Sequence, residues 1–294
     1  MKNIGYVGLG VMGHGMVSNL IKKCDAGTII WGYDVVENAM QAFRDVGGKT
    51  ASCPAELYKN CSIIFMCLPT NDLVYNTAKE ILPAAGKGTT IIDMSSTSPY
   101  ISKELYQRAK EKDVNFLDCP VSGGKVGADA GALAIMCGGD KDIFDIIRPY
   151  LEMMGKTVTY MGGSGCGSTA KLANNIMVGI HLIAMGEAFA FAKKAGLDPA
   201  TLFEAIRHGA AQSTVMDIKM PKILERDFSA AARIAVHLKD IDNALDMAQK
   251  LEVDLPITQL VKEQMDYMKD NGMINEDQCA LVKYYENSMD VEVK

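Results

Sequence analysis

Apolar positions recur along the first half of the chain in short unbroken runs, at 3–7, 28–33, 62–67, 89–93, 115–117, 132–137 and 157–160. Stretches with helical spacing lie between them, near 13–23, 36–46, 54–58, 71–84, 99–112 and 140–153. Continuous rather than alternating apolar runs suit strands buried on both faces, as in a parallel sheet. Strand and helix in alternation predict an α/β fold with helices on both faces of that sheet.

After Gly167 the pattern changes. From Ser168 to Lys194 the chain runs without punctuation apart from Gly179 and Gly186, and it is rich in Ala, Met, Ile and Leu. A helix of that length spans about 40 Å. Its composition predicts burial on both faces, with part of it packed on the first domain or on a second subunit. More helices are predicted near 199–207, 213–225, 236–250, 256–270 and 276–288. Breaks at Asp198-Pro199, Gly209, residues 228–232, Pro256 and Gly272 precede them. The glycine-rich stretch Gly162-Gly163-Ser164-Gly165 marks the expected boundary, giving an α/β domain over 1–163 and an all-helical domain over 164–294.

The first strand-to-helix turn carries Gly8-Leu9-Gly10-Val11-Met12-Gly13, a G-x-G-x-x-G run. Ile4, Tyr6 and Val7 precede it as a strand; Met16, Val17, Leu20 and Ile21 follow as a helical stripe. That placement is what a dinucleotide fingerprint requires. Gly8 allows a tight turn, Gly10 lets the backbone approach a pyrophosphate, and Gly13 lets helix and sheet pack closely. The N–H groups of the helix start hold the phosphates. The second apolar run ends at Asp34, 21 residues beyond Gly13, where a carboxylate can accept from an adenosine ribose. The expected first domain is therefore of the Rossmann type. A carboxylate repels a 2′-phosphate, and no Arg follows it in Val35-Val36-Glu37, so NAD(H) is expected over NADP(H), with NADP(H) possible.

The composition narrows the function classes. An apolar content of 48% excludes wholesale disorder. A formal net charge of −6 gives no electrostatic reason to expect nucleic acid. Met1-Lys2-Asn3 leads directly into a strand, so no signal peptide is expected, and no apolar run is read as long enough to span a membrane. The eight cysteines lack close metal-ligand spacing, and the histidines at 14, 181, 208 and 237 do not cluster. A reducing cytoplasm and no metal are expected.

Several polar residues are candidates for chemistry. Lys171 and Asn175 lie four apart near the start of the long helix and share a face among apolar neighbours. Lys171 is open to two readings: a solvated stem at a domain edge, or a functional cation beside a helix N-terminus that has room for an anion. Asp118-Cys119-Pro120-Val121-Ser122-Gly123-Gly124 follows a strand; it reads either as an ordinary loop or as a cradle for a small carboxylate. Asp93 to Thr97 and Leu68-Pro69-Thr70 end other strands of the same sheet, beyond whose carboxyl ends ligands bind. Lys239-Asp240 reads as surface decoration or as a second basic group near the cleft.

Taken together, these stretches resemble the β-hydroxyacid dehydrogenase family over essentially the whole chain. Gly8 to Gly13 looks like its cofactor signature and Asp118 to Gly124 like its substrate loop. Lys171 with Asn175 is similar to its catalytic lysine and nearby asparagine, and Lys239-Asp240 to a lysine approaching the nicotinamide end of the cofactor. The resemblance implies reduction of a small semialdehyde acid with NAD(P)H, reversibly, by a homodimer or homotetramer. It implies Lys171 as acid and base, and Asn175, Ser122, Gly123 and Gly124 on the substrate. It implies Gly8 to Gly13, Asp34, Leu68, Pro69, Thr70, Ser96, Thr97 and Lys239 on the cofactor. Ala205 to Gly209, Ser213 to Asp217 and Tyr284-Tyr285-Glu286 look like the branch that acts on tartronate semialdehyde. Two departures leave 2-(hydroxymethyl)glutarate and 3-hydroxyisobutyrate as alternative substrates: Ala132 stands where a threonine is usual, and Ala230-Ala231-Ala232 where Gly and Phe are usual. A dinucleotide-binding protein without turnover is the reading of a different class.

Overall fold

The structure is a computed structural model and describes residues 2–294. The chain divides into two compact units, Met1–Lys171 and Leu172–Lys294.

The first unit runs β1 (Lys2–Val7), α1 (Val11–Lys23), β2 (Thr28–Tyr33), α2 (Glu37–Asp45), β3 (Lys49–Thr50), α3 (Pro54–Asn60), β4 (Ile63–Met66), α4 (Asn71–Ala84) and β5 (Thr90–Asp93). It continues with α5 (Pro99–Lys110), β6 (Asn115–Asp118), β7 (Val121–Ser122), α6 (Gly124–Ala130), β8 (Leu133–Gly138), α7 (Lys141–Met154) and β9 (Gly155–Gly162), then enters α8 (Cys166–Lys194). Among the described residues nine strands form one sheet, in the order β3-β2-β1-β4-β5-β6-β8-β7, with β9 against β8. The six strands from β3 to β6 are parallel, and β8 runs antiparallel to β6 and β7. The order 3-2-1-4-5-6 is that of a doubly wound dinucleotide-binding sheet, whose direction of winding reverses at β1 and β4.

Strand residues alternate between two buried faces, which is why the runs are continuously apolar. Ile4, Tyr6, Ile63, Phe65, Ile92 and Leu117 enter one core with Met16 and Leu20 of α1. Val7, Ile64, Met66, Ile91 and Phe116 enter the other with Leu57, Val74, Ile81 and Leu105 of the opposite helices.

The second unit contains most of α8, then α9 (Pro199–Ile206), α10 (Thr214–Leu224), α11 (Ile234–Lys250), α12 (Pro256–Asp270), a 3₁₀ turn (Gln278–Leu281) and α13 (Val282–Met289). Its core gathers Leu182, Phe189, Phe203, Met220, Ile241, Met265 and Tyr285. Helix starts follow the expected chemistry. Asp198 and Ser213 cap α9 and α10 by accepting from Thr201 N and Met216 N, and Pro256 opens α12.

Three readings are corrected. α6 was not expected, nor were the two-residue strands β3 and β7. The helix expected over 276–288 opens instead as a 3₁₀ turn. And α8 is, by length and composition, apolar enough to cross a membrane; about half of its most apolar window is buried inside the protein.

Candidate active site

One row of residues sets the geometry of the first unit. Tyr33, Val7, Met66, Asp93 and Asp118 are in register across β2, β1, β4, β5 and β6. Five parallel strands thus stop at one level, and the loops that follow them all leave from the same edge. Four candidate segments are those loops: 8–13, 34–36, 67–70 and 94–97. The fifth, 119–124, contains β7 and leads into α6.

The glycine run is built for close approach. Gly8 has φ +90°, and a side chain there would meet the Cys67 carbonyl oxygen at 2.2 Å. At Gly13 a Cβ would meet the Gly8 carbonyl oxygen at 1.9 Å, so the helix touches the backbone of the turn that follows β1. Gly10 is the contrast: nothing lies within 4 Å of a Cβ built on it. It precedes α1, whose first turn carries no acid and no side-chain cap. An open, uncapped helix start fits a pyrophosphate. Leu9 is buried, whereas Val11 is 62% exposed beside Gly10. Asp34 accepts from the backbone N–H of Leu9 at 2.7 Å and of Val36 at 2.9 Å. Each oxygen keeps a lone pair with which to accept from a ribose hydroxyl. Val35 and Val36 beside it are exposed and apolar, offering no cation to a phosphate.

The next two loops are joined to each other. The Leu68 N–H donates to the Ser95 hydroxyl at 2.8 Å, while Asp93 accepts from Ser95 N at 2.9 Å and from the Thr97 hydroxyl at 2.7 Å. The Thr97 side chain therefore turns inward, and Thr70 caps α4 by accepting from Leu73 N at 3.2 Å. Pro69 is exposed and Ser96 half-buried at the loop surface. Asp93 is fully buried. Loss of hydration pushes its carboxyl up to about 6; the Ser95 and Thr97 hydrogen bonds oppose that shift, and Asp118 adds to it.

Ser122 ends β7, and Gly123 and Gly124 follow it at φ +134° and +61°. A Cβ on Gly123 would touch Leu133 Cδ2 at 3.0 Å, whereas Gly124 faces open space. α6 packs on α1: buried Asn19 of α1 donates to the carbonyls of Ala128 and Asp129 at 2.9 and 3.0 Å. The helix that follows Ser122 to Gly124 and the helix that follows the glycine run are therefore tied through one side chain.

The start of α8 differs from the sequence reading. It does not hold room for an external anion, because a carboxylate of the chain already sits there. Buried Asp118 accepts from Gly165 N and Ser168 N, both at 2.8 Å. Half-buried Lys171 follows Ser168 by three residues, and Asn175 lies one turn farther along the same helix.

In the second unit Asn175 is 8% exposed and its side chain is held at both ends. Its Nδ2 donates to Asp240 at 2.5 Å, and its Oδ1 accepts from Asn174 at 2.9 Å. Lys239 Nζ lies 3.0 Å from the other oxygen of Asp240. His237, also buried, donates from Nε2 to the Asn175 carbonyl oxygen at 2.9 Å. Asp240 is 3% exposed, so Lys239-Asp240 is not surface decoration. The missed signal was the placement of His237 and Asp240 among Ile234, Ile241 and Ala244 on the apolar face of α11. Among the described residues no group of three or more His, Cys, Asp or Glu side chains could hold a metal ion.

Residues 3–162 match the family described as the NAD binding domain of 6-phosphogluconate dehydrogenase. Residues 165–285 match the one described as NAD-binding of NADP-dependent 3-hydroxyisobutyrate dehydrogenase. The chain is 34% identical to 2-hydroxy-3-oxopropionate reductase of Escherichia coli (strain K12), covering 96% of this chain and 97% of that protein. It is 33% identical to 2-(hydroxymethyl)glutarate dehydrogenase of Eubacterium barkeri, covering 99% and 97%. The solved structure of Mycobacterium tuberculosis 3-hydroxyisobutyrate dehydrogenase with L-serine superposes with a TM-score of 0.87 at 28% identity, covering 97% of this chain and 99% of that one.

Proposed function

The chain belongs to the β-hydroxyacid dehydrogenase family of NAD(P)-dependent oxidoreductases, which interconvert small semialdehyde acids and hydroxy acids, and we propose that this member reduces tartronate semialdehyde to glycerate with NADH. The observation that carries the reading is the Asp118 strand end. From it one path leads through Cys119 to Ser122 and the two glycines, and the other through two hydrogen bonds to the helix of Lys171. The substrate itself is argued from similarity along nearly the full chain to a 2-hydroxy-3-oxopropionate reductase, tartronate semialdehyde being another name for that compound.

Ser122 and the amides of Gly123 and Gly124 anchor the carboxylate, which fixes the orientation of the aldehyde. Lys171 as an ammonium stabilises the negative charge growing on the carbonyl oxygen and donates the proton to it. In the reverse direction a neutral Lys171 takes the alcohol proton. Asn175 holds the reacting oxygen. Gly8, Leu9, Gly10, Val11, Met12 and Gly13 hold the pyrophosphate, Asp34 the ribose, and Leu68, Pro69, Thr70, Ser96 and Thr97 line the path between them; Lys239 serves the nicotinamide end. The bound cofactor supplies the hydride. Asp34 with its apolar neighbours favours NADH over NADPH.

The protein is proposed to be a cytoplasmic homodimer or homotetramer. Ala173, Met177, Ala184, Ala188 and Phe191 are exposed along one face of α8, and a second copy is the partner that such a stripe fits. Light scattering of the purified protein measures this.

A second reading, 2-(hydroxymethyl)glutarate as substrate of the oxidation, draws on the similarity over 99% of the chain and on the three alanines at 230–232. The deciding experiment is a steady-state comparison of tartronate semialdehyde, 2-formylglutarate, methylmalonate semialdehyde and succinate semialdehyde with NADH. The highest kcat/KM is expected for tartronate semialdehyde; a higher value for any other acid reassigns the substrate, and no turnover with all four overturns the reading.

A further inference from the structure

We propose that Asp118 is a positioning residue for Lys171: its carboxylate clamps the first turn of α8 and so sets where the lysine stands relative to the loop of Ser122. This rests on the reading of Lys171 as the proton donor.

The clamp is specific in its geometry. The two carboxylate oxygens are used separately, Oδ1 by Gly165 N and Oδ2 by Ser168 N, each at 2.8 Å. Gly165 immediately precedes α8, and Ser168 is its third residue. Helix starts leave such N–H groups without intrahelical partners, and a local Ser or Asp ordinarily supplies the cap. Here the cap comes from 47 residues earlier, from the end of a central strand. A carboxylate at that end also complements the helix dipole. Burial pushes the Asp118 carboxyl up, and the two helix amides offset part of that cost.

The surrounding backbone admits no slack. A Cβ on Gly167 would meet the carbonyl oxygens of Asp118 and Met136 at 2.3 and 2.4 Å. One on Gly138, the residue paired with Asp118 across the β6–β8 ladder, would meet Asp118 Oδ1 and Gly167 N at 2.7 Å. The helix start thus lies directly on two strand backbones, with glycine at both points of approach. The Ser102 and Ser168 hydroxyls, 3.0 Å apart, fix the same turn to α5. Lys171 comes one helical turn after this docked turn. Ser122 comes four residues after Asp118 on the other branch. One buried side chain therefore holds both groups in register. A displacement of about 1 Å in such an arrangement can cost ~10²-fold in rate.

The test is a double-mutant cycle of Asp118→Asn and Lys171→Ala, read in kcat, substrate KM and NADH affinity at a temperature well below unfolding. Asp118→Asn keeps the shape but presents an amide NH₂ to one of the two N–H donors. It is expected to lower kcat by about 10-fold or more. The change in KM should be smaller and NADH binding unchanged. In the Lys171→Ala background the same substitution should cost less than about 2-fold, because a group acting through the lysine has nothing left to act on. Equal losses in both backgrounds, or a normal kcat in folded Asp118→Asn, would overturn the proposal. Normal kcat in Lys171→Ala would instead remove the catalytic reading itself and this inference with it. Should Asp118→Asn not fold, Asp118→Glu, which keeps the charge and moves it by one methylene, enters the same cycle with the same criteria.

Discussion

The backbone N–H of Leu9 donates to the Asp34 carboxylate at 2.7 Å. Leu9 lies inside the glycine run and Asp34 just beyond the end of the next strand, so the glycine run and that acid form one hydrogen-bonded unit. The carboxylate supports the loop in this way, and facing an adenosine ribose is its proposed second duty.

This double duty shapes the first prediction. Wild-type enzyme should show a higher kcat/KM with NADH than with NADPH. Asp34→Ala combined with Val35→Arg should move the preference toward NADPH, since a guanidinium replaces a repelling carboxylate. The same variant should be less stable by about 1–3 kcal/mol in urea unfolding, because Leu9 and Val36 lose their acceptor. A wild-type preference for NADPH would refute the assignment of Asp34 as selector.

What was legible in the sequence was what is local and periodic. Helices 71–84 and 256–270 are legible to the residue, because their apolar spacing is sustained and Pro256 marks the start of the second. α6 was not legible: it is a seven-residue helix with glycines at 124 and 127, an 82%-exposed Val126 and only Ala128 buried. No apolar stripe announces such a helix; it is held by Asn19 of α1. The glycine run and Asp34 were legible for the same reason as the long helices, since strand, turn and acid follow one another within a few dozen residues. The clamps were not. Asp118 meets amides at 165 and 168, and Asp240 meets Asn175, and nothing in the neighbourhood of either acid in the sequence names those partners.

The second prediction concerns the proposed carboxylate anchor at Ser122. Ser122→Ala should raise substrate KM by about 3- to 30-fold, the loss of one hydrogen bond, with kcat lowered less and NADH affinity unchanged. Gly123→Val should do more, since φ +134° strains any side chain there and Leu133 blocks its Cβ. Calorimetry that showed NADH binding collapse in Ser122→Ala with normal substrate kinetics would assign the loop to the cofactor instead.

Asp93 gives a pH prediction with a definite sign. Its carboxyl, ordinarily near 3.8, is pushed to about 6 in the folded chain, so the native state binds that proton more tightly than the unfolded chain does. Its contribution to stability is therefore most favourable below about pH 4, declines as pH rises toward 6, and is flat above. The span corresponds to about 3 kcal/mol at most, at 1.36 kcal/mol for each pH unit. Asp93→Asn removes this titration. The stability of wild type relative to Asp93→Asn, from urea unfolding, should fall between pH 4 and pH 7; a flat or rising difference would contradict the burial argument.

The last prediction separates the two lysines. Lys171 is held one turn beyond a clamped helix start, while Lys239 is paired with a buried carboxylate at 3.0 Å. Lys239 is engaged by the buried Asp240 on a different helix from Lys171. Lys171→Ala should therefore lose at least ~10²-fold in kcat, the lower end for a positioned acid–base group, with NADH affinity nearly intact. Lys239→Ala should lose cofactor affinity as well as rate. Removing Lys239 also takes its ammonium from the buried Asp240, to which Asn175 still donates at 2.5 Å. Single-turnover measurements at saturating NADH distinguish the outcomes: the Lys239 defect should shrink under saturation and the Lys171 defect should persist. A persistent loss in Lys239→Ala beside a normal rate in Lys171→Ala would transfer the proton to Lys239, and with it the chemistry from α8 to α11.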